Sequence, residues 1–172
     1  MSEECRVPLS SADLLLALRD DLAEAPFITD PASQLRIAQD PGDLYDQLLD
    51  KPASFRLLLH WAGEKPETDQ ELAGIVEATV QLWVIKAKGL SLNPGDLYVR
   101  SQGGQLPFLS LLDTVIAWVR SNALPNFITS RYFKYMGAEQ LDALSAPNLE
   151  TAAFKLTFAI TTVKPSLPMR NL

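Results

Sequence analysis

The chain is poor in the side chains that do covalent chemistry. Its single cysteine, Cys5, excludes an internal disulfide and any multi-cysteine zinc site. Its single histidine, His60, would have to serve any Ser-His-Asp or Cys-His arrangement. That residue falls mid-strand between Leu59 and Trp61, a place for a packed or solvated imidazole rather than a base. Cys5 lies beside Glu3 and Glu4, whose negative charge disfavours a thiolate. Gly103-Gly104 lacks both the spacing and the following Lys-Ser/Thr of a phosphate loop. His-Glu-x-x-His and Gly-x-Ser-x-Gly are absent. Neither a catalytic residue, a cofactor nor a metal ligand set is assigned.

Positive charge is also scarce. Lys and Arg number 15 against 21 Asp and Glu, a net charge of −6, which excludes a general nucleic-acid binder with a basic footprint. Long apolar runs are missing. The most apolar helical stretch, Phe108 to Val119, is about twelve residues and carries Asp113, short of the roughly 20 that a membrane span needs. The first residues, MSEECRVPLS, lack the positive and apolar regions of a secretory signal. The expectation is a soluble intracellular protein with Cys5 reduced.

What is present is ordinary globular composition: 172 residues, 47% of them hydrophobic. The length favours one domain, which buries roughly 70% of its unfolded surface without staples. The expected organisation is a flexible N-terminus at 1–9, a single domain at 10–163 and a flexible C-terminal tail at 164–172.

Along the chain, Ser10 or Ser11 caps a helix whose Leu14, Leu15, Leu18 and Leu22 recur at helical spacing up to Pro26. Ser33 to Ile37 reads as a brief edge strand. Asp40-Pro41-Gly42 opens a short helix carrying Leu44, Tyr45, Leu48 and Leu49. Phe55, Leu57, Leu59 and Trp61 alternate as a strand, and Gly63 to Asp69 reads as a polar connection. Val76 to Ile85 form a long strand with Trp83 and Ile85 on its second face, so that both faces meet protein along part of it. Residues 87–106, with four glycines, read as a long loop. Pro107 then starts a helix that Asn122 ends near Pro125. Tyr132 to Met136 predict a short strand, Gly137 to Pro147 a helical turn or loop, and Thr151 to Val163 a clean strand. Strands joined mostly without crossover helices imply an α+β domain, an antiparallel or mixed sheet with helices on one face.

Asp43, Asp46 and Asp50 share one side of a short helix, where a cation could be held by oxygen ligands. No turning glycine accompanies them, so a solvated helix face is the better reading. Trp61, Trp83 and Trp118 sit at apolar positions with no basic residues between them, as anchors rather than base-stacking platforms. Charge is uneven along the chain: residues 1–86 carry 16 acidic against 7 basic residues, a balance of −9, and residues 87–172 carry 5 against 8, a balance of +3. Such asymmetry suits either a solvated acidic surface or complementary faces for self-assembly.

The order of elements resembles that of the tail terminator, or tail completion, proteins of long-tailed bacteriophages and prophages. The resemblance is carried by Leu14 to Leu22, the strand around Val76 to Ile85, the FLSLLDTVIAWVRS helix at 108–121 and the FKLTFAITTV strand at 154–163. It implies a structural protein, not an enzyme. Such a protein forms a homo-oligomeric ring, typically a hexamer, that caps the tail tube and meets the head connector. Its expected partners are other copies of itself, tail-tube protein and connector protein, with no sequence-specific nucleic acid and no membrane. It would reside in the host cytoplasm and then in the virion tail. A ring needs two different complementary patches, and the interface candidates are Trp83, Ile85, Leu90, Leu92, Leu97 and Tyr98. The alternatives are a non-catalytic adaptor of another macromolecular machine and a small hot-dog-like enzyme.

Overall fold

Alternating apolar residues on four long segments are satisfied together in one sheet. The computed structural model describes residues 11–38, 40–66, 75–87, 96–101, 104–121, 129–140 and 151–163. The elements are α1 (Ser11–Ala23), α2 (Pro31–Gln34), β1 (Leu35–Ile37), α3 (Pro41–Leu49), β2 (Phe55–Pro66), β3 (Ile75–Ala87), α4 (Asp96–Val99), α5 (Phe108–Ser121), β4 (Thr129–Gln140) and β5 (Thr151–Val163). The strands lie in the order β1-β2-β3-β5-β4. β1 runs parallel to β2 and every other pairing is antiparallel, which makes this a mixed α+β sheet. The expected flexible ends at 1–9 and 164–172 lie outside the described residues, as do Cys5, Leu90, Leu92 and the end of the helix near Asn122.

One face of the sheet presents Leu57 and Leu59 from β2, Val80, Leu82 and Val84 from β3, and Leu156, Phe158 and Ile160 from β5. The two long helices cover it. α1 contributes Leu14, Leu18 and Leu22, the buried stripe that its spacing predicts, and α5 contributes Phe108, Leu111, Leu112, Val115 and Val119. Tyr98 stacks on Phe108 at 5.9 Å, and Phe108 meets Phe154 edge-on at 5.1 Å.

Short α3 occupies the opposite face, over one end only. Its Leu48 and Leu44 pack on Leu58, Trp83, Ile85 and Ala153. Asp40 caps its start, with Oδ1 accepting from the Asp43 N–H at 2.9 Å. Its last carbonyls are satisfied by the sheet beneath. Buried Arg56 donates to the carbonyls of Gln47 and Asp50 and pairs with the Asp50 carboxylate at 2.9 Å. The Thr151 hydroxyl donates to the Leu48 carbonyl at 2.7 Å. A guanidinium at a helix C-terminus also suits the dipole.

The helices lie on both faces of the sheet rather than on one, because α3 covers Trp83 and Ile85 of the second face, and three further expectations are corrected. β2 does not stop at Gly63 but continues to Pro66 through a register shift between Trp61 and Gly63. β4 likewise continues past Met136 to Gln140, with a shift between Tyr135 and Gly137. Both glycines have positive φ, 131° and 148°, which is the bulge conformation that glycine adopts without strain. Thirdly, the stretch at 87–106 is not all loop, because it contains α4, whose Leu97 is buried in the main core.

Leu82 lies on the central strand under both long helices and is 1% exposed. Leu82→Ala is expected to cost about 3 kcal/mol, lowering the midpoint of thermal unfolding by about 6–12 °C. A shift below a degree in a calorimetric scan would contradict the packing described.

Candidate interaction surfaces

Of the residues singled out for an interface, the structure describes four, and all four face inward. Ile85 is fully buried and Trp83 is 9% exposed, both beneath α3. The Lys155 ammonium lies 5.9 Å from the centre of the Trp83 ring. Leu97 is buried in the main core, and half-buried Tyr98 is wedged between Phe108 and Phe154. The second-face apolar residues of β3 are thus covered by this chain's own helix rather than left for a neighbour.

Among the described residues, exposed large apolar side chains, besides Leu16 of α1 and Met136 of β4, fall in two places. The first is α3. Its inward pair is Leu44 and Leu48, and the outward pair one position on is Tyr45 and Leu49, 58% and 51% exposed. Residues four apart on a helix are neighbours, so these two form one ridge. The second place is the opposite layer of the molecule, at the start of α5, where Leu106 and Leu109 are 47% and 44% exposed. Val99 of α4, the short helix that packs on α5, is exposed as well. From Leu106 a shallow, mostly apolar trough of about 840 Å³ runs along α5 between Phe27, Ala117 and Trp118. Phe27 and Trp118 meet edge to face at 6.3 Å, which fixes its floor. The sequence signal for the α3 ridge was its four apolar positions on nine residues, twice what one buried face requires.

The other candidate chemistry is dispersed. His60 Nδ1 lies 3.2 Å from Oε1 of Gln81, its cross-strand partner. The α3 carboxylates are engaged separately: Asp43 accepts from Gln47 and Asp50 from Arg56. Among the described residues no three His, Cys, Asp or Glu side chains converge on a point where a metal ion could sit. The charge asymmetry of the two halves does not become an asymmetry of two faces. Lys134 and Lys155 come from the basic half, yet lie in the strand phase that shares the sheet face with acidic α3. Lys155 is paired there with Glu139, and Lys65 with Glu77. Among the described residues no helix is long and apolar enough to cross a membrane.

With this geometry the chain was compared with known proteins. No family model matches it, and no curated protein matches it. Among solved structures it is similar to the sheath/tube terminator of an extracellular contractile injection system, PVC, in the extended state, seen by cryo-electron microscopy. The sequence identity is 8% and the TM-score 0.39, with 96% of this chain covered. The chain spans 64% of the length of that protein.

Asp21 of α1 neighbours Trp118, which lines the α5 trough. Burial raises its pKa above the ordinary 3.8, the nearby Trp118 indole offsets part of the rise, and Glu24 adds to it. A carboxyl that holds its proton more tightly when folded disfavours folding at neutral pH, and that penalty fades as the pH falls through the folded value towards 3.8. Asp21→Asn is therefore expected to raise the unfolding temperature at pH 7, by an amount that shrinks as the pH approaches 4. Equal shifts at both pH values, read by circular dichroism, would contradict the assignment.

Proposed function

We propose that this chain is a structural subunit of a phage- or prophage-type tail: a tail-terminator-like protein that closes into a homo-oligomeric ring on the end of the tail tube and meets the head connector. The observation that carries the reading is the placement of two unlike apolar patches on opposite faces of one sheet. A closed ring repeats a single heterologous contact, in which one patch of each subunit meets a different patch of the next. The Tyr45–Leu49 ridge is convex and the trough beside Leu106 and Leu109 is concave, so the two differ in shape as such a contact requires. A self-complementary dimer would need only one patch.

The element order supports the same reading, with an amphipathic helix, an extended pair, an apolar helix and a closing strand in that sequence. Since acidic and basic side chains share one sheet face and pair within the subunit, assembly rests on apolar contact. It should then persist when salt screens surface charge. The subunit is made in the host cytoplasm and ends in the virion tail.

Light scattering at low and high salt is expected to give one defined mass, a small multiple of 19.0 kDa, that salt does not reduce. Leu49→Asp should yield monomer with unchanged far-ultraviolet dichroism. With tail-tube protein of the same genome, electron micrographs should show tubes of limited length capped at one end. A protein that stays monomeric with and without tube protein, and leaves tube growth unlimited, would overturn the proposal.

A further inference from the structure

The alternation of β3 sends Val80, Leu82 and Val84 inward, and the next inward position is Lys86. The residue is 4% exposed. A buried ammonium normally has a carboxylate beside it, because an uncompensated charge in low dielectric is costly. Lys86 has none. The Leu106 carbonyl is the one partner of its ammonium among the described residues, which leaves two of three N–H donors unused.

Lys86 lines a part-enclosed cavity of about 300 Å³, and none of the described residues lining it is acidic. The cavity has a polar end and an apolar body. At the polar end, Lys86 is the cross-strand partner of Phe55, and Ser54 precedes Phe55 in the chain. The Ser54 oxygen accepts from the Gln34 side-chain amide at 3.3 Å, so its own proton remains to donate. Gln34 itself is held by the N–H groups of Thr29 and Asp30, both at 2.8 Å, and has no acceptor left over for Lys86. Phe27, Phe55, Leu106 and Leu111 supply the apolar walls.

We propose that this cavity binds a small monocarboxylate with an apolar body, the carboxylate against Lys86 and Ser54 and the body between Phe27, Phe55 and Leu111. The charge selects the class. One ammonium balances one negative charge, whereas a phosphate dianion would leave surplus charge against aromatic walls. The volume sits at the small end of the range for ligand pockets, which suits an arylalkyl or medium-chain acid. Burial lowers the Lys86 pKa from the ordinary 10.5, and a bound carboxylate would remove that penalty. Its polar groups, Lys86 and Ser54, belong to neither the α3 ridge nor the α5 trough, although Phe27 and Leu106 line the cavity and the trough alike.

The test uses calorimetric titration of the full chain with three probes: 4-phenylbutyrate, its neutral amide and inorganic phosphate. The acid is expected to bind and raise the unfolding temperature, and the amide to bind at least about tenfold more weakly, because it lacks the charge-assisted hydrogen bonds. Phosphate should not bind. Lys86→Met, which keeps the length and apolar stem, should weaken the acid at least about tenfold and leave the amide unchanged. Amide backbone shifts on adding the acid should centre on Phe55 and Leu106. If Lys86→Met does not fold, the comparison of acid with amide on the unaltered chain decides. Equal binding of acid and amide, binding that Lys86→Met leaves intact, or no binding of the acid would each overturn the proposal.

Discussion

The pairing of β3 with β5 is the constraint on which the rest of the molecule depends. All 13 residues of each strand are matched without a register shift, from Ile75 with Val163 to Ala87 with Thr151. Both strands are central, so their backbone groups bond on both edges, and on one face Val80, Leu82, Val84, Leu156, Phe158 and Ile160 are buried. A slip of one residue would turn Leu82 and Leu156 outward and Trp83 and Lys155 into the main core, which the alternation of both strands forbids. Bringing these strands together closes a long loop, a non-local contact that is entropically costly until α1 and α5 bury its apolar face. The two helices are thus the clamp on a pairing that local sequence alone could not hold.

The same pairing explains why the two halves of the chain do not become two faces of the molecule. β5 belongs to the second half, yet inserts between β3 and β4, and its Lys155 lies opposite Trp83 of the first half. Acidic and basic residues are therefore interleaved on one side of the sheet. What does differ between the two sides is shape: a nine-residue ridge, α3, on one and a trough along α5 on the other. Apolar contact between unlike shapes gives directional assembly without depending on net charge.

Much of this was legible in the residues and some of it could not be. β5 and the helix at 108–121 have the bounds that their periodicities predict, because each is a long run with one clear period. Asp40-Pro41 foretold α3, since a capping carboxylate followed by proline is a local signal. Gly63 and Gly137 misled for a physical reason: glycine reads as punctuation, but inside a long strand it marks a bulge as readily as an end. Trp83 and Ile85 were readable as apolar residues on a second face. That α3 folds back over them depends on the Arg56 and Thr151 contacts with its last carbonyls, from residues distant in sequence. Lys86 continues the inward phase of β3, while the absence of a counter-charge among the described residues emerges only from the fold.

The central claim is that the α3 ridge of one subunit meets the α5 trough of the next. Cysteine cross-linking tests it most directly, on a Cys5→Ser background, with one preparation carrying Leu49→Cys and another Leu109→Cys. The account predicts that a short bis-maleimide joins subunits when the two preparations are mixed, and that neither preparation alone cross-links. A chain carrying both substitutions should give a ladder ending at a closed ring. Efficient cross-linking within the Leu49→Cys preparation alone would show a self-complementary contact and contradict the account, as would a mixture that stays uncross-linked.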